Sequence, residues 1–144
     1  MMTEYDLAGK VIGLAMKVHR TLGAGFLESV YQNALHFELL RTGLKAELEV
    51  PIQIRYEGVV VGDYVADMVV NDSLIVEIKA VNALAAAHEV QTVNYLAATG
   101  RNEAVLLNFG TKSLEFKKKF RIYRDPEEDF PAFRENFVNS VNSV

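Results

Sequence analysis

The chain has 144 residues, half of them hydrophobic and 24% charged, enough to bury the core of one soluble domain. It has no cysteine, which excludes a disulfide scaffold and a thiolate metal site and suits a reducing compartment. A net charge of −4 excludes a broadly basic surface, so any nucleic-acid role needs a local basic patch. Met1–Asp6 lacks the basic-then-apolar pattern of a signal peptide, and Ala83–Ala87 falls far short of the roughly 20 apolar residues of a membrane span. A cytoplasmic protein without membrane contact is expected.

Leu7, Val11, Leu14, Ala15, Val18 and Leu22 recur at helical spacing, with Thr3–Asp6 as a weak capping box and Gly23 as C-cap. A second helix is predicted from about Phe26 to Thr42, with Leu27, Tyr31, Ala34, Leu35 and Leu39 as its apolar stripe and Gly43 ending it. The period then changes to two. Val50–Arg55 reads as a strand, with Pro51 pointing to a sheet edge or a strand start. Turns at Tyr56-Glu57-Gly58 and Asn71-Asp72-Ser73 separate it from runs at Val59–Val70 and Leu74–Ala80, an antiparallel meander. Ala83–Thr99 is a third predicted helix, packing inward through Leu84, Ala87 and Val90 and ended by Gly100. Ala104–Phe109 is a buried strand and Leu114–Tyr123 a last one. Residues 1–124 then form one domain of order ααβββαββ, an α/β fold of α+β character with a mixed sheet of about five strands. Residues 125–144 are an acidic linker and a short amphipathic tail carrying Phe133, Phe137 and Val141.

Glu77 and Lys79, two apart on a strand, project to one face. If Asn71-Asp72-Ser73 is a three-residue loop, Val70 pairs with Leu74 and Asp67 lies across from Glu77; a two-residue turn would put Asp67 opposite Val76. Two such carboxylates are unfavourable without a cation between them, and all-oxygen ligands suit Mg²⁺ or Mn²⁺. Lys79 could orient the attacking water or stabilise the transition state. As an isolated match, Glu-x-Lys is more often a surface ion pair on a half-exposed strand. Glu115-Phe116-Lys117 repeats the spacing but has no facing Asp, and its neighbours Lys118, Lys119 and Arg121 suggest a basic strand face. Glu28 and Tyr31 are neighbours on the second helix, where Glu28 could simply favour the positive helix terminus. Gln91 and Tyr95 share a face of the third helix, with His88 a turn earlier, either as site residues or as a polar edge. Lys117, Lys119 and Arg121, with Lys112 and Arg124, could contact phosphates, or could be a solvated edge strand protected from aggregation.

Gly25-x-x-Glu28-x-x-Tyr31, Asp67 and Glu77-x-Lys79 together resemble the GxxExxY protein family, a branch of the PD-(D/E)XK nuclease superfamily, from about Val18 to Arg121. Gln91-x-x-x-Tyr95 resembles the extra motif of its RecB and lambda-exonuclease-like branch, and Ala66-Asp67 stands where the superfamily name has Pro-Asp. The resemblance implies a restriction-endonuclease-like core. It implies Asp67, Glu77 and the Ile78 carbonyl as metal ligands, Glu28 as a further ligand, Lys79 as the catalytic lysine, and Gln91 and Tyr95 as groups positioning the scissile phosphate or strand end.

The reading these features favour is a Mg²⁺- or Mn²⁺-dependent nuclease acting on DNA ahead of RNA, with a homodimer giving a small acidic protein two subunits to engage a duplex. The alternative is a catalytically silent nuclease-fold module that binds nucleic acid or protein, which would suit the acidic charge and apolar tail. A phosphohydrolase of small nucleotides is a third, without a Gly-rich phosphate cradle to support it.

Overall fold

A computed structural model describes residues 4–122; Thr3, Tyr123, Arg124 and the 125–144 segment lie outside the described residues. The elements are α1 (Glu4–Leu22), α2 (Glu28–Arg41), β1 (Ala46–Tyr56), β2 (Val59–Val70), β3 (Leu74–Lys79), α3 (Ala86–Thr99), β4 (Glu103–Asn108) and β5 (Glu115–Phe120). This is the expected order. The strands form one mixed sheet in sequence order, antiparallel except for β3–β4, a parallel pair with α3 as its crossover.

Alternation along the strands sorts the core into two layers. Met68, Val70, Val76, Ile78, Val105, Leu107 and Phe109 pack under α1 and α2, against Val11, Ala15, Tyr31, Leu35 and Leu39. Val69, Ile75 and Ala104 face the other way, against Tyr95 and Leu96 of α3. Being covered on both faces, β3 and β4 read as unbroken apolar runs, which Glu77 alone interrupts in β3.

β2 meets β3 at Met68–Val76, Val69–Ile75 and Val70–Leu74, so Asn71-Asp72-Ser73 is the three-residue loop on which Asp67 depends. Asn71 and Asp72 take φ of 51° and 57°, left-handed values that Asn and Asp tolerate better than most residues. Beyond Met68 the strands part. β2 runs on with β1 alone as a two-stranded arm to the Tyr56–Val59 closure, while β3 runs on with β4. The candidate residues Asp67 and Glu77 lie at this fork.

Several expectations need correction. α2 starts at Glu28, because the chain enters it extended at Leu27 (ψ 156°), and Leu27 is 78% exposed instead of joining the apolar stripe. β1 begins at Ala46, so Pro51 lies within an edge strand and not at a strand start, the first of the two alternatives. α3 begins at Ala86 and is rolled from the predicted face: Thr92, Tyr95 and Leu96 are buried, whereas Ala87 is exposed and Val90 is 58% exposed. Burying the Tyr95 ring and Leu96 removes more apolar surface than burying alanines would. β5 ends at Phe120, so Arg121 lies past the strand, its backbone N–H bonded to the Asn102 carbonyl. Among the described residues, no helix is long and apolar enough to cross a membrane.

Candidate active site

At the fork, Asp67 Oδ2 accepts the Ile78 backbone N–H at 2.8 Å, standing in for the strand carbonyl that the departing β2 no longer offers. Glu77 shares the face of Ile75 and is 5% exposed, and its Oε1 has no hydrogen-bond partner. Burial, then the Asp67 carboxylate beside it, push the Glu77 carboxyl up to about 9, against a partial offset from Lys79. Half-buried Lys79 follows on the same face. A sealed acid with a bare oxygen and an acidic neighbour is costly to hold by itself. A carboxyl with a bare oxygen and a second carboxylate beside it is a donor set that fits a hard cation.

The Gly25–Tyr31 segment works as a clamp. The Tyr31 hydroxyl donates to the Gly23 carbonyl at 2.6 Å and accepts the Phe26 N–H at 3.1 Å, while its ring stacks on Phe109 with centroids 4.5 Å apart. Gly25, at φ 116°, makes a backbone turn that a side chain would strain. Together they set Glu28 as the first residue of α2, exposed at a cleft shared with Phe26, Gln32 and Ala80. Gln32, which the sequence reading passed over, donates to the Asp67 carbonyl at 2.9 Å and ties α2 to the fork. Glu28 and Gln32 are four apart, the helical spacing that could have flagged the pair. Glu28 itself stands off: among the described residues, no three His, Asp or Glu side chains converge on one point.

On the opposite face, the Gln91 side-chain amide donates to the Tyr95 hydroxyl. Burial, then the Glu77 carboxylate, hold the Tyr95 phenol above its usual value, with Asp67 adding to the effect, so this pair borders the acidic site. His88 is a helix cap: its Nδ1 accepts the Ala85 N–H at 3.1 Å. His19 and His36 are likewise bonded to backbone, at the Thr111 and Ala46 carbonyls.

A model of the PD-(D/E)XK nuclease superfamily matches residues 5–120. The chain belongs to this superfamily. The fold agrees: an alkaline exonuclease from Laribacter hongkongensis superposes with a TM-score of 0.50 at 16% identity, over 99% of this chain and 81% of that one. The solved structure of SSO0001 matches with a TM-score of 0.52 at 17% identity over 67% of this chain, which spans about half (52%) of its length. No curated protein matches the sequence. The sheet flanked by helices is thus the restriction-endonuclease-like core.

On this PD-(D/E)XK scaffold the basic residues of β5 divide. Lys119 is ion-paired to Glu89 of α3, whereas Lys117 is exposed on the same face. Arg121 passes close to Gly100, at the end of α3. Asn108 is a second residue the sequence reading missed. Fully buried at the end of β4, it bonds the N–H and carbonyl of Val81, the Gly110 N–H and the Glu115 carboxylate. A Cβ on Gly110 would sit 2.3 Å from the Val81 carbonyl oxygen, so only glycine lets this loop close over the chain just past Lys79.

Proposed function

We propose that this protein is a Mg²⁺- or Mn²⁺-dependent nuclease that hydrolyses phosphodiester bonds at the fork between β2 and β3, with DNA as its substrate ahead of RNA. The bare, buried Oε1 of Glu77 beside the Asp67 carboxylate carries the reading, because that pair is hard to account for without a cation. Asp67, Glu77 and the Ile78 carbonyl would hold the metal. Bound there, a divalent ion supplies an activated water near neutral pH and offsets charge on the phosphate.

The rest is the work of the chain's own groups. Lys79, past Glu77 on the same face, orients the attacking water and stabilises negative charge on the phosphate oxygens. Gln91 and Tyr95 offer an amide and a hydroxyl to position the scissile phosphate. Glu28, held at the cleft mouth by the Tyr31 clamp, adds a third carboxylate through water, and the clamp supports placing the chain in the GxxExxY branch. Lys117, Lys119 and Arg121 supply phosphate contacts from the α3 side of the sheet, Lys119 after release from Glu89.

The test is a metal-titrated cleavage assay on single-stranded, duplex and nicked DNA, with Lys79→Ala alongside. Cleavage that requires Mg²⁺ or Mn²⁺ and disappears in the variant is expected. If neither ion raises the melting temperature and no nucleic acid is cut, the silent-module alternative takes over.

A further inference from the structure

A groove of about 670 Å³ runs between the β1–β2 arm and α3, lined by Ile54, Tyr64, Val90, Gln91, Asn94 and Tyr95, with three alanines of α3 completing it. Its lining contains no acid and no base, unlike the fork next to it. The Tyr64 ring is 46% exposed and stands against Tyr95, centroids 5.8 Å apart and tilted by 49°. Val90, 58% exposed, forms part of the opposite wall. Tyr95 belongs to both places: its ring lines the groove and its hydroxyl meets Gln91 beside the acidic pair.

We infer that this groove takes one unstacked nucleobase of the strand being cut, with Tyr64 as the stacking platform and Asn94 facing the base edge, so that single strands and frayed ends are the preferred substrates. The inference rests on the nuclease reading and deepens it. Beyond Gln91 and Tyr95 at its boundary with the fork, the lining has no cation to neutralise a phosphate, whereas the flat face of Tyr64 and the Asn94 amide suit a neutral heterocycle. Continuity through Tyr95 lets one nucleotide place its phosphate at Asp67 and Glu77 and its base in the groove. In a duplex every base is stacked and turned inward, so occupying the groove costs unpairing; a single strand has less to lose.

The experiment compares wild type, Tyr64→Ala, Tyr64→Phe and Val90→Trp on a single-stranded oligonucleotide, on the same strand with an abasic position walked along it, and on a blunt duplex. Binding by fluorescence anisotropy is measured in parallel on a Glu77→Gln background, which needs no metal and no turnover. Tyr64→Ala should lower kcat/KM and affinity for the intact single strand by about five- to about 150-fold, the range one stacked base supplies. Tyr64→Phe should stay near wild type. Val90→Trp, which fills the groove from its other wall, should reproduce the loss without touching Tyr64. None of these should change the strand whose abasic position falls in the groove. Equal behaviour of wild type and Tyr64→Ala on intact and abasic strands overturns the inference while leaving the nuclease reading intact, as does equal cleavage of duplex and single strand. Tyr64-dependent binding with no metal-dependent cleavage would uphold the groove and sink the nuclease reading.

Discussion

Glu77-Ile78-Lys79 and Glu115-Phe116-Lys117 are the same three-residue pattern on two strands of one sheet, and their surroundings make them opposites. Glu115 sits on an edge strand and its carboxylate is satisfied, accepting the Leu84 N–H at 3.3 Å and the Asn108 amide at 3.1 Å. It anchors the segment leading into α3. Glu77 lies on the central strand, almost sealed, with a bare oxygen and an acid for a neighbour. One acid stabilises the fold and the other strains it. A motif is therefore informative only through what faces it, and here that is Asp67, delivered by the three-residue loop.

The sharpest test of the contrast is catalytic. Lys79→Ala should lower metal-dependent cleavage by about 100- to 1,000-fold, the loss typical of one transition-state partner, while Lys117→Ala should change kcat by less than about threefold; comparable losses would erase the distinction. Next comes stability in EDTA at pH 7. Glu77→Gln should raise it by roughly 1–3 kcal/mol by removing an unpaired buried acid, and Glu115→Gln should lower it by about 1 kcal/mol by weakening charge-assisted bonds; chemical denaturation reads both signs.

The same asymmetry sets a pH dependence. The folded protein holds the Glu77 proton up to about 9, whereas the unfolded chain releases it near 4.5. Unfolding therefore releases a proton across that window, and metal-free stability should fall as pH rises through it. The decline should shrink in Glu77→Gln and persist in Glu115→Gln. Saturating Mg²⁺ or Mn²⁺ should oppose it, since a cation favours the ionised acid. Lys119→Ala should have the smallest effect, below about 1 kcal/mol, because a partly exposed ion pair contributes little. Any gain or loss in DNA affinity should vanish at high salt.

Much of this was legible in the residues. Helical and alternating periodicities located the elements, whereas they leave the hairpin register open between two loop lengths, of which the structure takes the three-residue one. Misreadings fell where a boundary or a face depends on contacts from afar. Leu27 looked like stripe and is solvent-facing, Val90 looked like core and lines an open groove, and Arg121 lies past its strand. The spacing of Gln32 from Glu28 and the turn at Gly110 were local signals, but the contacts that matter, Gln32 to Asp67, Asn108 to Val81 and Gly110 to Val81, span 35, 27 and 29 positions of the chain. The Tyr31 clamp is half legible: Gly25-x-x-Glu28-x-x-Tyr31 carries the spacing, but not the bonds to Gly23 and Phe26.

By itself, the order of residues determined the strands and helices and the parity that sends Glu77 and Lys79 to one face, and it narrowed the hairpin to two registers. Those are consequences of short-range backbone geometry, which repeats every two or 3.6 residues. Tertiary packing alone decided that one acid is sealed and the other satisfied, that α3 rolls to expose its alanines, and that β2 and β3 part to open a fork. Burial and electrostatics depend on what lies across space, and no periodicity along a chain records that.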